Sequence, residues 1–366
     1  MRKVKVDIPF LISVIVLVVF GYIIFTSASF GLLSKQPIKY ADVALRQTIF
    51  GLILGLLACF VAYKIDYKIY RKYSLFIFFI SIIVTLLVFA PIIGMEHGGA
   101  HRWINLGSFS FQPSELLKIG FIIFLSAWLA RVKDKSQTFK YGFLPFFLMI
   151  ILVGAILLKQ PDTDTFVILT ITGFSIFLVG GGKWKYIFIM TILGIMVLVS
   201  LAIMKPYIMS RISTFINPSA NSLGSGYQIQ QSLIAIGSGG AFGRGFGQSI
   251  QKFNVLPEPI GDSIFAVASE EFGFVGGVII ISIFVFFALR GFKIASRVPD
   301  VFGRLVVTGI VIMITSQAFV NIGAMAGILP LSGITLPFIS HGGTALFMTL
   351  FEVGIVLNIS KSMKRV

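Results

Sequence analysis

The chain alternates long apolar stretches with short polar ones. Ten apolar segments lie at about 8–29, 47–63, 74–94, 113–131, 141–158, 165–181, 184–204, 263–289, 303–327 and 343–360. Each approaches the roughly 20 residues with which a helix crosses a bilayer core. The pattern predicts an all-α, polytopic integral membrane protein of about ten transmembrane helices, a single membrane domain over residues 1–366. One interval is long. Between the seventh and eighth spans lies a loop, 205–262, rich in Gly, Ser and Gln, which ends on Glu258 and Asp262. It leads into a span carrying Glu270 and Glu271. Ionisable groups at membrane depth are costly, so they mark functional candidates.

Composition agrees. The 366 residues are 57% hydrophobic and 12% charged, against about 25% charged in a soluble domain. The net charge of +16 would suit nucleic acid, but its distribution argues otherwise. Arg2, Lys3, Lys5, Lys64, Lys68, Arg71, Lys72, Arg131, Lys133, Lys135, Lys140, Lys183, Lys185, Arg290, Lys293, Arg297, Arg304, Lys361, Lys364 and Arg365 make 20 of the 30 Lys and Arg, all in short segments on the N-terminal side. Cytoplasmic loops carry such an excess, so both termini are predicted to be cytoplasmic and nucleic acid is no partner. Loops 95–112, 159–164, 205–262 and 328–342 then face outward. The apolar run from Ile8 to Thr26 exceeds a signal-peptide core and reads as an uncleaved first span. Cleavage near Ser27-Ala28-Ser29 is the alternative. Cys59 is the single cysteine, which excludes an intramolecular disulfide, and with three scattered histidines it makes no Cys/His metal cluster.

Several familiar motifs fail. The glycines of 237–247 lack a βαβ context, and Gly180-Gly181-Gly182-Lys183 is followed by Trp184 rather than Ser or Thr. Ser114 and Lys118 are four apart, so no Ser-x-x-Lys nucleophile is present there.

Four polar clusters map to the outward face. The first runs from Arg102-Trp103-Ile104 through Gln112-Pro113-Ser114-Glu115 to Lys118. Glu115 and Lys118, at i and i+3, share a helix face one turn into the span. They either neutralise each other as a helix lock or line a polar cavity for a charged ligand. The second is Gln160-Pro161-Asp162-Thr163-Asp164, whose carboxylates either cap the next span or serve the site. The third is the long loop. Its glycines would let backbone N–H groups approach an anion, and Arg211, Arg244 and Lys252 would add charge. The alternative is a flexible loop with ordinary turns. Glu270 lies about 12 Å beyond Asp262 along the helix, and Glu271 about 100° round from Glu270, so the two glutamates are expected to have different roles. Buried partners for Lys or Arg are their plainer reading. The fourth cluster holds Gln317 and Asn321, then Leu336-Pro337-Phe338, Ser340, His341, Gly342-Gly343 and Thr344, where prolines and glycines interrupt the helix.

Taken together, these clusters resemble the SEDS proteins, a family that includes FtsW and RodA, over nearly the whole chain and in order. Gly247-Gln248-Ser249 with Gln251-Lys252 is nearer the FtsW branch. Thr163-Asp164, Gly261, His341 and Thr344 depart from the family pattern. The resemblance implies a SEDS-type fold in the bacterial cytoplasmic membrane. It implies a peptidoglycan glycosyltransferase that polymerises lipid II, the undecaprenyl-diphosphate-linked precursor, on the outer face during cell division. A class B penicillin-binding protein and other divisome membrane proteins are the implied partners. A RodA-type elongation polymerase and a lipid II flippase are the alternatives. The flippase needs a polar path to the cytoplasmic face, whereas the charged groups crowd the outward half.

Glycosidic bond formation needs a base for the acceptor hydroxyl and positive charge for the leaving diphosphate. Asp262, whose family counterpart is implied to be essential, is the expected base. Arg102, Glu115, Lys118, Asp162, Arg211, Arg244, Lys252, Glu258 and Ser340 are the expected substrate-binding residues. No cofactor is assigned; a divalent cation, Mg or Mn, is the alternative source of positive charge.

Overall fold

The computed structural model describes residues 6–364, apart from 34–36, 92, 98–99, 106, 108–109, 205, 218–224 and 254. Arg2, Lys3, Lys5 and Arg365, used above for orientation, lie outside the described residues, as do Lys205 and Gly224 in the long loop. The predicted spans are helical. In chain order the helices are α1 (Ile8–Leu33), α2 (Pro37–Arg46), α3 (Leu54–Lys64), α4 (Tyr67–Lys72), α5 (Ser74–Leu86), α6 (Pro113–Val132), α7 (Leu144–Lys159), α8 (Thr163–Val179), α9 (Trp184–Met204), α10 (Pro206–Ile216), α11 (Ser225–Ser238), α12 (Ile264–Arg297), α13 (Val301–Met325) and α14 (Gly343–Ser360).

Among the described residues, six helices are long and apolar enough to cross a membrane: α1, the continuous run Pro37–Lys64, Phe139–Lys159, α12, α13 and α14. Shorter apolar helices, Ser74–Phe89, Thr163–Val179 and Trp184–Val197, occupy three other predicted spans. The remaining one is α6, which carries Glu115, Lys118 and Arg131. At the centre stands α13, buried on most faces and packed against α6, α8, α12 and α14. Small residues let these helices close. A side chain at Gly354 of α14 would run into the Cys59 carbonyl of α3, and one at Gly120 of α6 into Ser81 of α5.

Three features depart from the sequence reading. First, the interval after α5 forms a small antiparallel sheet of order β1-β2-β3: β1 (Gly94–His97), β2 (Ala100–Asn105) and β3 (Ser110–Phe111). Its strands are too short and too polar to leave an apolar signature. Second, α2 and α3 join through a π-helical segment, Gln47–Ile53, which places Gln47 against the loop before α14. Its side chain accepts from Gly342 N–H at 3.0 Å and donates to the Ser340 carbonyl at 3.3 Å.

Third, the segment expected as one long loop contains α10 and α11 and then folds back onto α12. Arg244 and Gly245 N–H donate to the Glu270 and Glu271 carbonyls at 3.0 and 2.9 Å. Phe274 and Val275 N–H donate to Gly240 and Ala241 at 2.8 and 3.1 Å. The helix is broken for this exchange at Gly273, where φ is +69° and Gly243 presses on the backbone, so a side chain is excluded.

Candidate active site

Four helices, α6, α8, α12 and α14, begin at one end of the bundle around a cavity of about 560 Å³, lined by first-turn residues of α6, α8 and α14 and by Gly261 and Asp262 just before α12. Its wall includes Arg46, Arg102, Trp103, Glu115, Asp162, Glu258, Asp262, Gln317, His341 and Thr344. Helix N-termini carry partial positive charge, so their convergence favours an anionic occupant.

The centre of the site is the segment before α12. Glu258 carries a positive φ of 44°, and its carbonyl accepts from Gly261 and Ser263 N–H at 3.1 and 3.2 Å, which folds 258–263 into a tight turn. Three neighbours then fix that turn. Asn321 of α13 donates to the Asp262 carbonyl at 2.8 Å and to that of Ile334 at 2.7 Å. Ser340 Oγ donates to the Gly261 carbonyl at 2.8 Å. His341 N–H donates to the Ile260 carbonyl at 2.7 Å. With its backbone held in this way, Asp262 stands on the cavity wall.

Gly333 marks where the charged groups meet. A Cβ there would lie 3.7 Å from Asp262 Oδ2, 3.9 Å from Arg102 Nη1 and 3.9 Å from Asp164 Oδ2. Arg102 reaches this point because the β1–β2 register pairs Met95 with Trp103 and Glu96 with His101, leaving Arg102 as the extra residue of a bulge. Its guanidinium donates to the Gln160 carbonyl at 3.4 Å and to the Pro161 carbonyl. Asp164 is clamped between Arg211 of α10, at 3.0 Å, and Gly333 N–H, at 3.0 Å.

Electrostatics single out Asp262. Burial raises its carboxyl to about 7, and the charges of Glu258 and Asp164 push the same way, against Arg211 and Arg102. Burial also raises Asp162, which caps α8 through Thr165 N–H at 3.4 Å. Its Oδ2 has no partner among the described residues. His341 is lowered to about 4, by burial and then by Arg46, so it is neutral at physiological pH.

Of the predicted site residues, Arg102, Glu115, Asp162, Glu258 and Asp262 line the one cavity. Lys118 lies just behind it, 2.8 Å from Glu115 and 3.2 Å from Gln317 Oε1, both of which reach the wall. Arg211 sits beside the wall, in its pair with Asp164.

Three predicted residues are corrected. Ser340 is outside the wall, and its hydroxyl is occupied by Leu336 N–H and the Gly261 carbonyl, so it positions the Asp262 turn. Lys252 is fully buried on Glu271 at 2.7 Å, with Ser27 of α1 at 3.0 Å and the Gly247 carbonyl at 2.9 Å. Arg244 lies 3.5 Å from Glu270. Both cations belong to the fold-back, where each faces a buried carboxylate. The two glutamates therefore share a role after all. Ser249 donates to Glu270 through Oγ at 2.6 Å and to Glu271 through N–H at 3.4 Å, because one loop wraps both faces of the helix.

Sequence reasoning passed over Arg46 and Glu352. The signal for Glu352 was present, a lone carboxylate in the last apolar run. It is buried in α14 within electrostatic reach of Lys118 and Glu115. Arg46 lay unremarked at the edge of a span. Among the described residues no three His, Cys, Asp or Glu side chains are grouped so as to hold a metal ion. Arg46 and Arg102 on the wall and the nearby helix N-termini supply positive charge there.

Residues 8–365 match the FtsW/RodA/SpoVE family model, described as "Cell cycle protein". The chain is 38% identical to the stage V sporulation protein E of Bacillus subtilis, over 98% of each chain. It is 39% identical to "Probable peptidoglycan glycosyltransferase FtsW" of Geobacter metallireducens, over 98% of this chain and 96% of that one. Among solved structures it is similar to a chain from work on the structural coordination of polymerization and crosslinking by a peptidoglycan synthase complex. There the TM-score is 0.81 and the identity 27%, with 97% and 98% of the two chains covered. The Thermus thermophilus rod shape determining protein RodA shares the fold, with a TM-score of 0.73 at 24% identity over the full length of both chains.

Proposed function

The chain belongs to the FtsW/RodA/SpoVE family, and on that premise we propose that it is a peptidoglycan glycosyltransferase that polymerises lipid II. The observation that carries the reading is the Asp262 carboxyl, with its pKa raised to about 7, at a cavity shared with Arg102. The acceptor sugar hydroxyl sits on Asp262, which takes its proton as the oxygen attacks the anomeric carbon of the donor. The bond to the diphosphate breaks, and Arg102 with the converging helix N-termini stabilises the departing charge. A base with a pKa near the working pH is in its active form and still strong enough to accept the proton. One displacement with inversion is the simpler course, with Asp262 as the base.

The cavity end is assigned to the outer face, where lipid II is polymerised, and both termini to the cytoplasm of a bacterial cell. Basic residues gather in segments at the other end of the helices, including Arg71, Arg131, Lys183 and Arg297. Relatives named FtsW at 36–39% identity support a role in division. A class B penicillin-binding protein is the proposed partner, supplying the crosslinking chemistry. Incubating the purified chain with lipid II and resolving the products on a gel tests the reading. Glycan ladders from the unmodified protein, absent for Asp262→Ala of equal yield, are expected.

A further inference from the structure

We propose that Asp164 is a positioning residue for Asp262: it holds Arg211 of α10 against the start of α8 and so keeps that cation off the Asp262 carboxyl, which stays able to take a proton. The proposal rests on the glycosyltransferase reading and deepens it. A base set among cations meets a specific difficulty. An opposite charge within about 4–6 Å holds a carboxyl ionised and lowers its pKa by about 1–3, which weakens it as a proton acceptor. Yet the departing diphosphate needs cations in the same cavity. Both demands are met when each arginine near Asp262 has another acceptor.

Arg102 donates to the Gln160 and Pro161 carbonyls. Arg211 is held by Asp164, with Nη1 at 3.1 and 3.0 Å from the two carboxylate oxygens. Asp164 is itself fixed from two further sides. Gly333 N–H donates to its Oδ2 at 3.0 Å, and it lies in the first turn of α8, where the helix start favours negative charge. Its side chain is only 16% exposed, so water and salt screen the pair little. A Cβ on Gly333 would lie 3.7 Å from Asp262 Oδ2 and 3.9 Å from Asp164 Oδ2, so the two carboxylates flank one point and compete for the same cation. Asp164 thus acts twice in one direction. Its own charge raises the Asp262 pKa, and its grip on Arg211 limits a charge that lowers it. The other groups facing Asp262 are Glu258 on its own turn and Arg102 of β2, while α13 and the loop before α14 present the uncharged Asn321 and Gly333. The same wall also carries Asp162, Glu115, Arg46 and His341. Of these, Arg46 is held by Asp42 at 2.7 Å and Glu115 by Lys118 at 2.8 Å. Asp164 also departs from the family pattern, so this clasp is a feature of this chain.

The test reads the protonation of Asp262 without substrate. The full chain in neutral detergent is treated with dicyclohexylcarbodiimide, which couples to protonated carboxyls, and labelling of the Asp262 peptide is followed by mass spectrometry across pH. The wild-type midpoint is expected at about 7. Asp164→Asn keeps an oxygen for Gly333 N–H but loses the charge. It is expected to lower the midpoint by about one pH unit, so that labelling at pH 8 falls about tenfold. Adding Arg211→Gln to it is expected to return the midpoint to within about half a unit of the wild type, and Asp164→Glu to leave it there. Asp164→Ser makes the same comparison if the Asn variant fails to fold. A midpoint unmoved by loss of the Asp164 charge overturns the proposal. So does a double variant as low as the single one, since Arg211 would then not be the cation held off. Lipid II polymerisation by the same preparations is scored separately. Where polymer forms, the acid limb of the rate is expected to follow the labelling midpoint in each variant, and a limb that stays put overturns the positioning role. If no polymer forms, the glycosyltransferase reading fails, and the labelling series still decides whether Asp164 holds Arg211 off Asp262.

Discussion

At the scale of single residues, the account turns on how neighbours set the charge of Asp262. A base whose pKa is about 7 should give a rate that rises about tenfold per pH unit below that value and levels above it. The sign of each neighbour's effect is fixed by its charge. Glu258 raises the Asp262 pKa, so Glu258→Gln should move the acid limb to lower pH; Arg102 lowers it, so Arg102→Gln should move the limb upward. A profile unmoved by either change would detach the limb from Asp262. The Glu115–Lys118 pair is tested by stability. Removing one member of a buried pair costs about 3–5 kcal/mol, because a charge is left unpaired. Lys118→Met should be the most damaging single change, since it strands both Glu115 and Glu352. The double change Glu115→Gln, Lys118→Met should be milder, as read from the thermal midpoint. If it is also inactive, the pair serves substrate as well as packing. Asp262, Arg102 and Glu115 were legible in the sequence, because charged residues beside spans are conspicuous. Arg46 was not, since one arginine at a helix end looks like any interfacial anchor.

At the scale of elements, the spans could be read because burial in lipid demands long apolar runs, and that demand is met locally. The fold-back of 239–262 onto α12 could not. Its glycines read as loop, and only the partner surface shows that Gly243 and Gly273 must both be bare for two backbones to meet. That Glu270 and Glu271 are buried partners of Lys or Arg was legible, but not that the cations are Arg244 and Lys252 of the loop, because which cation folds back is a tertiary fact. The fold-back carries Glu258 and Asp262 at its far end, so its anchoring should be felt at the site. Lys252→Met leaves Glu271 buried without its cation, beside the Ser27 hydroxyl and the Ser249 N–H. That change should cost about 3–5 kcal/mol and raise hydrogen exchange in 239–253 above that in α13. Gly273→Ala should do the same through backbone strain and contact with Gly243. Unchanged exchange in both variants would mean that the fold-back is held by other contacts.

At the scale of the whole molecule, four helix starts converge on one cavity, and the bundle supplies positive potential where an anionic substrate must sit. The described residues outside the spans form short helices, turns and a three-stranded sheet. If crosslinking is a partner's task, as proposed, the chain alone should build uncrosslinked glycan that β-lactams do not suppress. The exposed apolar faces of α1, α3 and α9 offer the area on which a partner's membrane segment could pack. Adding that segment without its soluble domain should raise the rate by favouring the active arrangement of 239–262. A response only to the soluble domain would contradict intramembrane coupling. The central claim is that this chain polymerises lipid II with Asp262 as the base. Its most direct test is product formation from lipid II by purified wild-type and Asp262→Asn proteins at pH 8, with both shown to be folded by matching thermal midpoints. The account predicts glycan ladders from the wild type and none from the variant. Ladders of similar yield from both would contradict it.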